Sequence, residues 1–349
     1  MIGYIILFLG LLLFTVLCNQ RGKSNQALLV LGLTLLFVYM ALDMKKIHDV
    51  SLYEDSFNFY KHYSLAQLNS IDTYEEQGYV ALNILCSKFS SDFRFFYFFY
   101  AIVVVTSHLF LIRKYSKNIW FSSMLLVGSF FFPLFLMRQY FATAFCLFSI
   151  PFILDRKPIP FVLCMLAAYF FHRTSIVFSL CYFLPLLKVN VKTILLVLVV
   201  GVFAVLSIGL FNVYFVAMVG DSELASHYME YVNDDSSNSW KSAVIPVVAF
   251  LFALFSYKGH FGELDKKQSL FFFMSAVYAI LSIVDVSGTS FSAIYRILPY
   301  FGLSVIILLP DATGYIKSKS VRTVSTTAIL LLYMYSLIST AGPWFHFTI

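Results

Sequence analysis

Unbroken apolar runs of helical length recur along almost the whole chain, and they remove most of the folds open to 349 residues. They fall at approximately 2–18, 27–43, 95–112, 119–136, 138–154, 158–171, 174–187, 193–219, 242–257, 268–286, 291–310 and 324–340. A membrane-crossing helix needs about 20 apolar residues, within a range of roughly 17 to 25. In hydrocarbon the backbone must satisfy its own hydrogen bonds, which leaves helices and closed barrels. These runs lack the alternation, over roughly ten residues, of barrel strands. The fold class expected is therefore all-α, a polytopic integral membrane protein of about 12 transmembrane helices in a single transmembrane domain over residues 1–349.

Composition excludes the soluble alternative. With 60% hydrophobic residues, 12% charged and a mean hydropathy of +0.83, a chain folded in water has no way to cover its apolar surface. The net charge of +6 does not call for nucleic acid, because the basic residues cluster in short stretches between apolar runs, where membrane orientation accounts for them. Cys18, Cys86, Cys146, Cys164 and Cys181 form no CxxC pair and read as buried thiols rather than disulfides or a metal site. The first run, Ile2 to Cys18, has no basic residue before it and no cleavage pattern after it, as suits a retained span rather than a signal peptide.

Short cytoplasmic loops hold the excess of Lys and Arg. With Arg21 and Lys23 on that side, alternation adds residues 113, 114, 117, 156, 157, 188, 192, 258, 266, 267, 317, 319 and 322, which makes 15 of the 24 basic residues. Two long polar interruptions then face outward: residues 44–93, the first extracytoplasmic loop, and residues 221–241, the second. In the first loop Tyr53, Phe57, Tyr60 and Tyr63 recur at helical spacing, which predicts a short helix with an aromatic face against the membrane, and Gly78 to Phe89 reads similarly.

Arg138, His172, Arg173 and Arg296 all sit at or inside the outer end of an apolar run. A charge in hydrocarbon costs about 2.5 to 3.5 kcal/mol on insertion scales, so such residues mark function unless they merely snorkel to headgroups. Arg138 has no acidic residue within ten positions on either side, so its partner comes from elsewhere in the fold or from a ligand. A guanidinium fork suits the paired oxygens of a phosphate or pyrophosphate. The same holds for Arg296, for which Asp285 is the competing structural partner. His172 reads either as a general base or as a hydrogen-bonded helix end. The acid pairs Glu54–Asp55 and Glu75–Glu76 are first of all solvated loop carboxylates, with sugar binding or base chemistry as the other reading. There is no Asp-x-Asp, no HExxH, no phosphate loop and no metal-ligand spacing, so the sequence offers no metal or nucleotide cofactor.

At these positions the sequence resembles the EpsG/Wzy family of bacterial polysaccharide polymerases. The similar features are Tyr53-Glu54-Asp55 and Glu76-x-Gly78-Tyr79 in the first loop, Arg138-Gln139 opening a span, Ala167-Ala168-Tyr169-Phe170-Phe171-His172 closing one, and Tyr295-Arg296. The resemblance implies a metal- and nucleotide-independent membrane glycosyltransferase of the bacterial inner membrane. It would join undecaprenyl-pyrophosphate-linked oligosaccharides, donor to acceptor, into O-antigen, capsule or exopolysaccharide at the outer face. Catalysis would fall to Arg138, His172 and Arg296, and substrate binding to Gln139, Arg173, Tyr295, Tyr53, Asp55 and Glu76. Membrane lipid, a flippase and a chain-length regulator would be its partners. The alternative function is a transporter or flippase of the same lipid-linked oligosaccharide, whose usual marks are inverted repeats and helices broken at the midplane.

The orientation is testable by chemical accessibility in a cysteine-free background. Asp72→Cys is expected to react with a membrane-impermeant maleimide in intact spheroplasts, and Lys317→Cys only after permeabilisation; the reverse pattern would invert the topology.

Overall fold

The computed structural model describes residues 2–20, 22–41, 48–129, 136–203, 241–286 and 296–341, with positions 207 and 294. Among them the chain is 82% helical, without a strand, as the apolar runs require. Phe93–Tyr115, Met137–Leu154 and Lys266–Asp285 are long and apolar enough to cross a membrane on their own, and the remaining apolar helices are shorter, at 10–17 residues. Most of the second loop, residues 221–240, lies outside the described residues, as do Lys45 and Lys46.

The chain forms two compact units, one comprising residues 1–152, 157–176 and 326–349, the other 153–156 and 177–325. In the first unit the helices are α1 (Ile2–Cys18), α2 (Ser24–Ala41), α3 (His48–Tyr60), α4 (Gln77–Ser87), α5 (Phe93–Tyr115), α6 (Ile119–Ser129), α7 (Met137–Leu154, to residue 152) and α8 (Pro158–Phe171). The helix Lys319–Ala341 joins it from residue 326. Helices α1 and α2 pack side by side, and a Cβ at Gly10 would lie 2.0 Å from Thr34 Oγ1, so glycine leaves the room that the Thr34 side chain fills. Small residues at helix contacts are the usual device where lipid offers no hydrophobic drive for helix association.

Local sequence fixes several helix ends. Asp92 caps α5 by accepting the Arg94 backbone N–H at 2.9 Å, and Arg113 and Lys114 lie in its last turn, where cations favour the helix dipole. Pro158 opens α8, and the helix closes where the His172 N–H donates to the Ala168 carbonyl at 2.9 Å. The run expected as a span at 174–187 is not an α-helix. It forms two 3-10 helices, Arg173–Tyr182 and Leu184–Leu186. A 3-10 helix rises about 2.0 Å per residue against 1.5 Å for an α-helix, so a run this short reaches farther in that form.

The first loop departs from expectation in one respect. Its helices fall where periodicity placed them, but the aromatic face of α3 is turned into protein rather than toward lipid. Phe57 is fully buried, with its ring 5.9 Å from Phe93 and 5.8 Å from Phe96, and Tyr60 is buried with its hydroxyl 2.7 Å from Thr73 Oγ1. Rings on the top of α5 offer edge and face partners that lipid lacks. Beneath them Tyr39, Tyr97 and Tyr100 form a buried cluster with centroids 5.5 to 6.1 Å apart.

In the second unit Lys266–Val286 packs on Lys241–Ser256 and on Ser304–Thr313. Asp311, buried on the last of these, accepts hydrogen bonds from Tyr257 Oη at 2.9 Å and Gln268 Nε2 at 2.5 Å, with Lys267 Nζ 3.8 Å away. Arg156 adopts a left-handed φ of 58°, and its guanidinium lies 3.9 Å from the Tyr182 ring centroid.

Truncating a fully buried aromatic typically costs about 3–5 kcal/mol. Phe57→Ala is expected to lose about that much and to release the first loop, read as a lower thermal midpoint in detergent and faster outer-loop proteolysis. A face that merely touched lipid would change neither.

Candidate functional site

Glu76 is the hub. It is the residue just before α4, and its carboxylate Oε2 accepts Arg138 Nη1 at 2.9 Å. Its other oxygen, Oε1, faces His172 Nδ1 at 3.2 Å and accepts the Arg173 backbone N–H at 3.3 Å. Three elements supply these groups: the start of α4, the first turn of α7, and the end of α8 with the 3-10 turn that follows.

Aromatic packing brings them together. Phe141, one turn after Arg138 on α7, stacks on Phe171 with centroids 4.6 Å apart, and Phe145 stacks on the same ring at 5.6 Å. Since His172 follows Phe171 directly, these stacks hold the arginine and histidine ends of the two helices level. Tyr79, one turn after Glu76 on the buried face of α4, lies under the arginine, with its centroid 5.9 Å from Arg138 Cζ and 5.9 Å from the Tyr53 ring. Glu75, also buried, accepts the Ser56 hydroxyl at 3.3 Å.

Burial alone pushes the Glu76 carboxyl up, but the His172 hydrogen bond and the charges of Arg138 and His172 outweigh it, and the group ends at about 2, below its ordinary 4.5. It is therefore an ionised acceptor at any physiological pH. An acceptor-only carboxylate requires the facing Nδ1 to carry hydrogen. In the neutral ring Nε2 is then the basic nitrogen, and it is buried with no partner among the described residues. The Ser175 hydroxyl, one turn further along, is likewise buried and without a partner among the described residues. A buried imidazole whose Nδ1–H is held by a carboxylate and whose Nε2 lone pair is unspent has the makings of a general base.

The site residues expected from sequence are brought together unevenly. Arg138, His172 and Glu76 meet in one contact. Arg173 contributes its backbone N–H, while its side chain is exposed. Tyr53 packs beside Tyr79, Gln139 is buried in the first turn of α7, and Asp55 is exposed on α3 with no contact to Glu76, Arg138 or His172 among the described residues. Arg296 belongs to the second unit, and Tyr295 lies outside the described residues. The residues alone place Glu76 among solvated loop acids, the family resemblance gives it to substrate binding, and neither singles out Ser175 or the Tyr257–Gln268–Asp311 cluster. The signal for its pairing is Arg138 itself, a cation with no acid nearby in sequence.

Fold and site together define a helical membrane protein in which a buried carboxylate joins an arginine to a histidine at the ends of its helices. The family model of EpsG matches residues 27–347, nearly the whole chain, and the protein belongs to the EpsG family, which is associated with polysaccharide polymerases. Its role at family level is thus a polymerase-type one in polysaccharide biosynthesis, of a membrane glycosyltransferase kind. No curated protein and no solved structure matches it.

The lowered Glu76 value sets a sign for acid stability. A depressed carboxyl stabilises the fold fully above its unfolded value and loses that contribution as pH falls from 4.5 toward 2. The contribution is about 3 kcal/mol. Thermal unfolding in detergent is expected to show wild type losing its advantage over Glu76→Gln across that window, whereas parallel curves would mean that Glu76 is not held ionised by the fold.

Proposed function

We propose that the protein joins polyprenyl-pyrophosphate-linked oligosaccharide repeat units into a polysaccharide at the outer face of the bacterial cytoplasmic membrane, without metal or nucleotide, and that the Glu76 cluster is its reaction centre. The observation that carries this reading is the double engagement of Glu76, which fixes a charged guanidinium and an oriented imidazole side by side.

The chemistry divides between them. An acceptor sugar hydroxyl attacks the anomeric carbon of the donor glycan, forming the new C–O bond. The bond from that carbon to the lipid pyrophosphate breaks, and its electron pair leaves with the pyrophosphate. The hydroxyl proton passes to His172 Nε2, and the resulting imidazolium is steadied by Glu76 through Nδ1–H. Arg138 commits one N–H to Glu76, and its side chain is 21% exposed, so the rest of its fork is available for the departing phosphate. Removing a preorganised donor of this sort typically costs 10²–10³-fold in rate, and removing a general base about 10²–10⁴-fold. Arg296 enters from its sequence position alone, as a second cationic residue for pyrophosphate. Tyr53 and the other outer-loop aromatics are proposed to stack on sugar faces.

The test is a ladder assay. Purified protein supplied with lipid-pyrophosphate-linked repeat units, but no nucleotide or metal, is expected to yield glycans of stepwise greater length. In folded Arg138→Ala and His172→Gln the rate is expected to fall by about 10²-fold or more, and Arg296→Ala is measured alongside. Movement of the same lipid across a vesicle bilayer, with no ladder, would replace this reading with transport.

A further inference from the structure

We infer that Gly78 is a positioning residue for the Glu76–His172 contact, through a backbone approach between α4 and the end of α8 that admits no side chain. The inference rests on the reading of the Glu76 cluster as the reaction centre for its functional meaning, though not for its geometry.

Gly78 lies in the first turn of α4, two residues after Glu76, and Phe170 lies in the last turn of α8, two residues before His172. A Cβ built on Gly78 would stand 2.6 Å from the Phe170 carbonyl oxygen, 2.9 Å from its carbonyl carbon and 2.9 Å from its Cβ. The nearest two of these atoms are backbone, locked in a helix whose next residues are the site, so no rotamer change relieves the overlap. Real Cβ atoms essentially never come closer than 3.0 Å, so a side chain at 78 must drive the two helices apart by at least about 0.4 Å.

That displacement is enough to matter here. Glu76 Oε1 already sits 3.2 Å from His172 Nδ1 and 3.3 Å from the Arg173 N–H, near the far end of hydrogen-bond range. Lengthening by about 0.4 Å takes both to the distance at which a hydrogen bond no longer exists. The Arg138 contact starts shorter, at 2.9 Å, and ends a long flexible side chain that can follow the carboxylate. A methyl group at 78 therefore uncouples the histidine while sparing the arginine. Helix propensity acts in the opposite direction, because alanine is the better helix former. On propensity alone Gly78→Ala would be harmless or stabilising.

The discriminating measurement is the ¹⁵N spectrum of histidine-labelled protein in detergent across pH, with the His172 signal assigned by its loss in His172→Gln. Wild type is expected to hold His172 as the Nδ1–H form when neutral. Gly78→Ala is expected to lose that tautomer preference, while Gly32→Ala, whose added Cβ meets the Leu109 side-chain end at 2.8 Å and Val105 at 3.9 Å, keeps it. In the ladder assay Gly78→Ala is expected to lose as much rate as His172→Gln does. An unchanged His172 signal in folded Gly78→Ala would overturn the inference. So would failure of Gly78→Ala to fold where Gly32→Ala folds, since the contact would then serve the fold rather than the site. A changed signal in a protein that makes no ladder even as wild type would leave the positioning role standing and remove the polymerase reading instead.

Discussion

An ionised carboxylate largely removed from water is among the costliest groups a protein can hold, and in the first unit the structure depends on how Glu76 is compensated. Three donors converge on its two oxygens, and each comes from a chain segment with its own reason to be there. Arg138 opens a helix that is otherwise uncharged, so its charge needs an acid as much as the acid needs it. The His172 ring and the Arg173 N–H come from the point where α8 gives way to 3-10 geometry, which turns a fresh N–H toward the carboxylate. Remove the carboxylate and an arginine is left in a desolvated place without its counter-charge, which is why the arrangement holds the helix ends together as well as presenting a base.

The aromatic content of the chain is best understood from the same constraint. The Phe141–Phe171 stack levels the ends of α7 and α8, Tyr79 lies beneath the guanidinium, and Phe57 pins the loop helix to the rings of α5. Each ring contributes area and a preferred angle, and together they position a short polar segment that could not bury itself. Other large apolar side chains, among them Leu29, Val162 and Leu163, point outward, where hydrocarbon is their natural solvent.

The second unit also buries an acid, by different chemistry. Asp311 receives hydrogen bonds from a tyrosine and a glutamine, with Lys267 only at 3.8 Å, where Glu76 has a guanidinium in direct contact. Neutral donors tie three helices at one point without an oriented base beside them, and the cluster reads as a structural tie.

The amino-acid sequence already shows that the chain is helical and belongs in lipid, because hydropathy and backbone hydrogen bonding are local matters: α1 occupies the very residues of the first apolar run, and α7 and α8 begin within a residue of theirs. It also marked Arg138 and His172, since a charge or an imidazole at the end of an apolar run stands out against its neighbours. Which acid answers Arg138 emerges when the helices assemble. Glu76 lies 62 residues from Arg138 and 96 from His172, and nothing in its own neighbourhood shows that it, rather than Glu75, Glu54 or Asp55, pairs with them. The same holds for the face of α3: periodicity shows that it is apolar, but whether it meets lipid or the rings of α5 depends on what α5 presents there. Partners so distant are chosen by packing, and packing is a property of the assembled helices rather than of any one segment.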